Sequence, residues 1–480
     1  MIHPGHGRRP AGSAALTVTV LLAGEFLAIF DISVVNVLLP TIQHDLDAGD
    51  AESYLVVACY AMTYASLLVT GGRLGERHGI RVVFLTGVAL FGLASAACAL
   101  APTLPVLAGA RAAQGVGAAL LFPQVLAGIQ QVLPAQRRGP ALGAFGAVLG
   151  AGSTLGQLGG GVLAELDIAA TGWRSAFWVN VPLCLAIVAA GATLLPGERT
   201  STRRLDLPGA LLLAVTMAAV TLPWSMPGTT NNPRHAVPAL AILAGAGTAF
   251  VWWERRLTHR GGSPLLHTDL FRHWTFGAGL ALCLLFFCTQ VPFYVVLART
   301  AQDGAGLSPL SSAMLYAGLG VAFLAASVLA GRLDARHMVW LTTCGPVLTA
   351  LSYLGLSRLT AHQLHPAEPS VTLLLILNGL GAGLVAPTLI RFVLTGVPTP
   401  LAGVASGLLA TAQQTANSIG VVTAGAVFHA GGHGPRTLTG FHATLLYFTA
   451  LAAATAALAA TVARGHATHR QAPEPDPAHP

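Results

Sequence analysis

Residues 16–40 read LTVTVLLAGEFLAIFDISVVNVLLP. A helix needs about 20 predominantly apolar residues to cross a bilayer core of roughly 30 Å, so this stretch is long enough to span a membrane. It nevertheless contains two carboxylates, Glu25 and Asp31. An acid inside a membrane span is costly unless it faces a cavity, pairs with a partner or is protonated. The segment therefore predicts a membrane helix whose acids have a specific role.

Similar apolar stretches recur along the whole chain. Of its 480 residues, 54% are hydrophobic and 9% are charged, whereas a soluble domain has about 25% charged residues. The pattern predicts about fourteen membrane helices, hence an all-α, multi-pass membrane protein. They lie near 16–39, 53–71, 82–101, 106–126, 141–163, 177–195, 207–222, 236–253, 276–297, 310–330, 339–356, 371–394, 403–427 and 442–462.

Arginine positions predict the orientation of these helices. Most arginines fall in alternate loops, which the positive-inside rule places in the cytoplasm. We expect a protein of the cell (inner) membrane with both termini in the cytoplasm. The formal charge of +7 then reflects topology and does not indicate nucleic-acid binding. The six cysteines lie within apolar spans without CxxC spacing, so no metal site is predicted.

Two polar segments that contain proline and glycine, 196–206 and 254–275, divide the predicted helices into groups of six, two and six. We predict an N-terminal six-helix bundle at 1–195, a linker with two additional helices at 196–262, a C-terminal six-helix bundle at 263–464 and a disordered cytoplasmic tail at 465–480. The sequence GRLGERH at 72–78 has a counterpart, GRLDARH, at 331–337. Such recurrence is typical of two repeated bundles that rock about a central site.

Three charged residues within the spans are candidates for proton chemistry. Asp31 is the strongest, although a structural pairing with a neighbouring helix is the alternative. Glu25 precedes it on the same helix by about 9 Å along the axis. The two acids are either successive stations of a proton path, or Glu25 is a local acid bonded within the bundle. Arg111 keeps its proton, so it can tune a carboxylate or stabilise the fold but cannot carry the proton.

The fifth predicted helix is rich in glycine at small-xxx-small spacing, including Gly152, Gly156, Gly160 and Gly161. Such spacing lets helix backbones approach closely in lipid. Tight packing is the simplest interpretation. A functional role would follow if this contact opens and closes.

Several of these segments together resemble the fourteen-helix drug/proton antiporter family of the major facilitator superfamily. The Asp31 segment is similar to its first-helix signature, GRLGERHGIR at 72–81 to its gating loop, and the segment around Arg111 to its fourth-helix motif. The stretch GSTLGQLGGG at 152–161 is similar to its antiporter motif. Two departures are Glu76, where the gating loop usually has Asp, and Gln157, where the antiporter motif has proline.

The resemblance implies a major facilitator fold and a proton-driven exporter that needs no cofactor besides the proton gradient. It implies that Asp31 binds the proton or a positive charge of the substrate and that Arg111 supports proton movement. It also implies a clamp formed by Gly72, Arg73, Gly75, Glu76, Arg77, Gly79 and Arg81.

A central cavity lined by aromatic and amide side chains would suit amphipathic organic molecules. The candidates for its lining are Asn36, Gln114, Phe122, Gln124, Gln290, Phe293, Tyr294, Asn378 and Gln413. The thirteenth predicted helix also offers Gln414 and Asn417.

The main hypothesis is a monomeric, proton-coupled exporter of small amphipathic or cationic organic compounds, drugs or antibiotics, that works by alternating access. A narrow-substrate exporter for self-resistance or for a metabolite is an alternative. A non-transporting membrane receptor or scaffold is another, disfavoured because it has no physical need for buried charge. An enzyme is disfavoured because the chain has no HExxH motif and no nucleophile motif with a triad.

Overall fold

The computed structural model describes residues 11–166, 172–197, 206–225, 233–260, 262, 274–333, 338–360, 363–394, 397, 402–430 and 437–471. All regular secondary structure in these residues is helical. A helix satisfies its backbone polar groups within one segment, which an apolar bilayer core requires. The prediction of an all-α fold is confirmed.

The helices are α1 (Ala11–Asp45), α2 (Asp50–His78), α3 (Ile80–Ala99), α4 (Leu104–Val132), α5 (Ala135–Leu166), α6 (Ser175–Trp178), α7 (Asn180–Leu194), α8 (Leu207–Ser225), α9 (Pro233–His259), α10 (Trp274–Arg299), α11 (Pro309–Arg332), α12 (Met338–Leu356), α13 (Pro369–Leu394), α14 (Ala402–Ala430) and α15 (Thr437–Gln471). A 3-10 turn at Gly172–Arg174 precedes α6, and a π-helical turn at Thr300–Gly304 follows α10.

Every predicted span corresponds to a helix in the structure. The sixth span is divided between α6 and α7, but Val179 joins them with helical dihedral angles, φ −59° and ψ −32°. Within the described residues, ten helical spans are long and apolar enough to cross a membrane. Helix α15 continues to Gln471, beyond the start of the predicted tail at 465, and residues 472–480 lie outside the described part.

The helices form an N-terminal and a C-terminal group. In the first, α2 and α3 pack against α4 while α1 packs against α5; in the second, α11 and α12 pack against α13 while α10 packs against α14. Each group has its own apolar core, with Phe84 and Phe91 in the first and Phe441 and Phe448 in the second. The groups meet where α5 contacts α11 and where α2 contacts α14.

Helices α8 and α9 form a hairpin that packs against α2. Its apolar contact joins Val69 of α2 to Leu213 of α8 and Phe250 of α9. Asp206 connects the two helices of the hairpin, because its Oδ1 accepts hydrogen bonds from the amide of Gly209 at 2.9 Å and from Trp253 Nε1 at 2.8 Å.

The glycines of α5 allow α1 to approach its backbone. A Cβ atom at Gly156 would lie 2.5 Å from the carbonyl oxygen of Phe30, and one at Gly160 would lie 3.0 Å from that of Val34. Gly152 faces Ile29 in the same row, whereas Gly161 faces α11. Larger side chains at 156 or 160 would push the two helices apart, so the glycines determine how α1 and its acids are positioned.

Candidate functional site

Asp31 of α1 and Arg111 of α4 form a buried ion pair. Arg111 Nη1 lies 2.5 Å from Asp31 Oδ2, and the two side chains are only 1% and 2% exposed. The two residues lie on different helices, and the packing of α1 against α4 brings them together. The cost of burying either charge alone is offset by the other.

Two amides complete the hydrogen bonding of the Asp31 carboxylate. Its Oδ1 accepts from Gln114 Nε2 at 2.9 Å and from Asn180 Nδ2 at 2.7 Å. Asn180 also donates to Ser95 Oγ at 3.0 Å, and Ser95 donates to the carbonyl of Phe177 at 2.9 Å. The carboxylate therefore accepts hydrogen bonds from donors on two helices besides its own.

Arg111, like Asp31, makes several contacts besides the ion pair. Its Nε donates to the carbonyl of Val56 at 3.1 Å, and its Nη1 also donates to Gln114 Oε1 at 2.7 Å. The guanidinium lies over the ring of Tyr60, 4.3 Å from the ring centroid, where a cation is attracted by the aromatic face. The whole arrangement suits a charged pair rather than two neutral groups.

Glu25 lies in a different environment from Asp31. Its side chain is fully buried, and neither carboxyl oxygen has a hydrogen-bond partner among the described residues. It lies near Tyr60 and Tyr64 of α2. The hydroxyl of Tyr60 likewise has no partner in the described part of the chain.

A chain of aromatic rings leads away from the ion pair. The ring centroids of Tyr60 and Tyr64 are 5.9 Å apart, those of Tyr64 and Phe122 are 6.0 Å apart, and those of Phe122 and Phe145 are 5.9 Å apart. Contacts at these distances are typical of attractive aromatic pairs. The chain ends at a cavity, which Tyr64, Phe122 and Phe145 all line.

The cavity lies between the two helix groups and has a volume of about 170 Å³. None of the described residues that line it is acidic or basic. Its aromatic side chains are Tyr64, Phe122, Phe145, Phe286, Phe287, Tyr294, Tyr316 and Phe323. Its amides are Gln157, Gln290, Gln413, Gln414 and Asn417. The lining combines large apolar surface with neutral hydrogen-bonding groups.

Four of the predicted cavity residues line this cavity: Phe122, Gln290, Tyr294 and Gln413. The other five lie elsewhere because they are on helix faces that point into the bundles. Asn36 and Asn378 are buried within their groups, and Gln114 bonds to Asp31. Gln124 donates to the carbonyls of Gly71 and Leu120, and Phe293 packs on Tyr353 with centroids 5.0 Å apart.

Sequence reasoning did not select three polar residues that matter here. Asn180 and Ser95 belong to the ion-pair network, and Gln157, noted only as a departure from a motif, lines the cavity. In the sequence, each of the three appears as a polar residue isolated in an apolar span. That signal alone does not say which helix face the residue occupies.

The two helix groups contact each other beyond the cavity at both ends. Near the end of α1, Gln302 Nε2 donates to the carbonyl of Val37 at 3.4 Å, and Ser308 Oγ donates to Glu165 Oε1 at 2.9 Å. Toward the other end, a Cβ atom at Gly407 would lie 3.8 Å from Val69 Cα. These contacts bracket the cavity along the helix axes.

The segment expected to be a gating loop is mostly helical. Helix α2 continues to His78, α3 begins at Ile80, and only Gly79 separates them, with φ of +85°. A residue with a side chain is strained at such an angle, which explains why the helix breaks at this glycine. The prediction of a loop from 72 to 81 is therefore wrong in its boundaries.

Side chains at both ends of this segment hold it in place. Arg73 Nη1 pairs with Glu76 Oε2 at 3.2 Å. Arg73 is buried, but Glu76 and Arg77 are exposed. Gly72 and Gly75 lie against Pro123 and Gln124 of α4, and Arg81 donates to the carbonyl of Ala192. The repeated segment at 331–337 is described only as far as Leu333, so residues 334–337 lie outside the described part.

Comparison with known proteins places these features in a family. Residues 21–421 match the family model of the Major Facilitator Superfamily. The chain is 35% identical to the cephamycin export protein of Amycolatopsis lactamdurans, covering 86% of this chain and 85% of that protein. It is 34% identical to the puromycin resistance protein of Streptomyces alboniger, covering 84% of this chain and 80% of that protein.

The fold agrees with a solved structure. The crystal structure of the human organic anion transporter MFSD10 superposes with a TM-score of 0.66 at 17% identity, covering 94% of this chain and all of that one. An all-helical, multi-pass architecture, a cavity between two helix groups and a family match over most of the chain agree with one another. The protein is a membrane transporter of small molecules and belongs to the major facilitator superfamily.

Proposed function

We propose that this protein exports small organic compounds from the cytoplasm in exchange for protons. The observation that carries the proposal is a neutral cavity between the two helix groups, joined by aromatic contacts to a buried ion pair. Alternating access needs a central site that opens to one side at a time, and the cavity lies in the right place for it. The buried acids of α1 beside it include a group that can respond to protons.

The lining of the cavity indicates the class of substrate. Eight aromatic rings offer apolar area, and five amides offer donors and acceptors without charge. Such a site suits an amphipathic molecule with an aromatic or other apolar body and several polar groups. Relatives named for cephamycin export and puromycin resistance support antibiotics as the substrate class.

The ion pair has a role distinct from direct contact with substrate. Asp31 and Arg111 do not line the cavity, so the compound meets them only through the Tyr60–Tyr64 pair. Movement of Tyr64 on substrate entry would be transmitted to Tyr60 and then to the guanidinium. In this proposal the pair maintains the charge balance of the N-terminal group while the two groups rock.

Everted membrane vesicles energised by a pH gradient test this proposal. The compounds are puromycin and ethidium, and the variants are wild type, Asp31→Asn and Asp303→Asn. We expect wild type to accumulate at least one compound, collapse of the gradient to abolish accumulation, and Asp31→Asn to lose it. Asp303→Asn changes an exposed acid that pairs with Arg299 at 3.3 Å outside the cavity, and it should behave as wild type.

Three outcomes would contradict the proposal in different ways. Accumulation that persists after the gradient collapses would exclude proton coupling. Full accumulation by Asp31→Asn would exclude a need for the ion pair. Absence of accumulation for every compound, in vesicles that contain folded protein, would favour a narrow substrate range or a non-transporting role.

We also propose that both termini are cytoplasmic. The support is the arginine distribution, since a stretch rich in Arg remains on the cytoplasmic side. A green fluorescent protein fused to the C-terminus should fluoresce, because it folds in the cytoplasm. An alkaline phosphatase fusion at the same point should be inactive.

A further inference from the structure

The two buried acids on α1 differ in their hydrogen bonds. Asp31 accepts from Arg111, Gln114 and Asn180, whereas Glu25 is fully buried and has no hydrogen-bond partner among the described residues. An ionised carboxylate is stable in an apolar interior only when it is paired and hydrogen-bonded. By this criterion Asp31 is ionised and Glu25 is protonated.

We propose that Glu25, rather than Asp31, is the residue that carries the exchanged proton, and that this structure shows its proton-loaded state. The assignment rests on the proposed function, since it names the coupling residue of that same transport cycle. Asp31 is then a positioning residue that keeps Arg111 in place and stays ionised throughout.

Asp31 is poorly suited to release and bind a proton in this conformation. Its partner Arg111 keeps its charge at all physiological pH values, so protonation of Asp31 would leave a buried cation without a counter-charge. Both oxygens of Asp31 already accept hydrogen bonds, and a proton on either would displace a donor. The network therefore holds the ionised form.

Glu25 lies close to the route that a substrate takes. Residues 25, 29 and 32 are spaced four and three apart, so they share one face of α1. Ile29 and Ile32 line the cavity, and Glu25 follows one turn beyond Ile29 on that face. Tyr64, which also lines the cavity, lies near Glu25.

The groups that face Glu25 on the neighbouring helices bring no cation to it. From α2 these groups are Tyr60 and Tyr64, and the guanidinium of Arg111 on α4 lies over the ring of Tyr60 and pairs with Asp31. Arg81 of α3 donates to the carbonyl of Ala192 in α7, and Arg138 of α5 donates to that of Leu133. Arg77 of α2 and Arg137 of α5 are exposed, so they are not buried beside Glu25.

These contacts suggest how substrate and proton exchange. A compound that enters the cavity displaces the Tyr64 ring and admits water to Glu25. The carboxylic acid then gives its proton to water and becomes a carboxylate, which is stable once it is hydrated. The reverse step, after the compound has left on the other side, binds one proton and restores the neutral, buried acid. One proton is exchanged per compound.

Infrared spectroscopy tests the protonation state without any transport. The purified full-length protein in detergent at neutral pH is measured as wild type, Glu25→Gln and Asp31→Asn. We expect wild type minus Glu25→Gln to show the carbonyl band of a protonated carboxylic acid. Wild type minus Asp31→Asn should show carboxylate bands only. Asp206 and Glu254, the other acids that are buried in the described part of the chain, cancel in both differences.

The reverse pattern, with the acid band in the Asp31→Asn difference and carboxylate bands in the Glu25→Gln difference, would overturn the assignment. Glu25→Asp keeps the carboxyl group and should keep the acid band. It is the control for loss of the band through misfolding. Monodisperse elution of each variant from a size-exclusion column is the second check.

Transport in proteoliposomes tests the coupling. Glu25→Gln mimics the proton-loaded acid, so we expect loss of gradient-driven puromycin accumulation while puromycin counterflow, which needs no net proton movement, persists. Glu25→Gln with normal gradient-driven accumulation would overturn the assignment. Failure of wild type itself to move puromycin or ethidium would contradict the proposed function, whereas the infrared result would still decide which acid is protonated.

Discussion

At the scale of single residues, Asp31 and Arg111 show how charge is kept in an apolar interior. The pair is almost completely buried, yet the carboxylate and the guanidinium meet donors and acceptors from α1, α2, α4 and α7. A buried pair with such partners costs little as a unit, but each member becomes expensive once the other is removed.

This asymmetry gives a prediction for a double-mutant cycle. Asp31→Asn leaves the cation of Arg111 uncompensated and should lower the free energy of unfolding by about 3–5 kcal/mol. Adding Arg111→Gln removes that charge, so the double variant should recover much of the loss while transport remains absent. Thermal unfolding of the purified variants in detergent measures the effect. A double variant less stable than Asp31→Asn alone would contradict this account.

At the scale of elements, the row of glycines on α5 determines how closely α1 can pack. Gly152, Gly156 and Gly160 follow one another at intervals of four residues and all face α1. The same helix carries Gly143, where an added Cβ atom would meet nothing within 4 Å. Helix α5 therefore contains both a sensitive glycine position and a permissive one.

We expect Gly156→Ala to impair both stability and transport. Its methyl group would lie 2.5 Å from the carbonyl oxygen of Phe30, and overpacking of this kind costs about 1–3 kcal/mol. Gly143→Ala is the matched control on the same helix, and it should be neutral or slightly stabilising because alanine favours helix. Thermal unfolding and vesicle transport measure both. A Gly156→Ala variant as stable and active as wild type would show that close α1–α5 packing is unimportant.

The packing of helices also determines the short connection between α2 and α3. The sequence GRLGERHGIR contains several glycines and charges, which are typical of a loop. In the structure the residues before Gly79 continue α2, because Gly72 and Gly75 allow that helix to lie close to Pro123 and Gln124 of α4. A glycine in a membrane helix can thus serve packing rather than a turn.

At the scale of the whole molecule, two helix groups enclose a neutral cavity and contact each other beyond both of its ends. Transport by alternating access requires these contacts to separate in turn. The contact between Val69 of α2 and Gly407 of α14 is suited to a direct test, because a Cβ atom at 407 would lie within 4 Å of Val69.

We expect a disulfide between Val69→Cys and Gly407→Cys to block transport reversibly. The spacing is within reach of a disulfide, and the bond would hold the two groups together at that end. Oxidation should abolish vesicle accumulation, and reduction should restore it. Each single-cysteine variant is the control for the six native cysteines. Undiminished transport by the fully cross-linked protein would mean that this end does not open.

The sequence by itself determined where the helices lie along the chain and the presence of acids within the first one. Hydropathy is a local property, so a stretch such as residues 16–40 predicts its own helix without its neighbours. Family motifs and charge within apolar spans likewise indicated Asp31 and Arg111 as candidate functional residues.

Only the tertiary structure decided what surrounds each of these charged and polar side chains. Whether an acid on α1 meets a guanidinium, as Asp31 does, or no partner at all, as Glu25 does, depends on the rotation of α1 against α2, α4 and α7. The same rotations place Gln290 and Gln413 in the cavity but Gln114 and Asn378 inside the bundles. Those angles follow from side-chain packing across many helices, and no single stretch of sequence contains them.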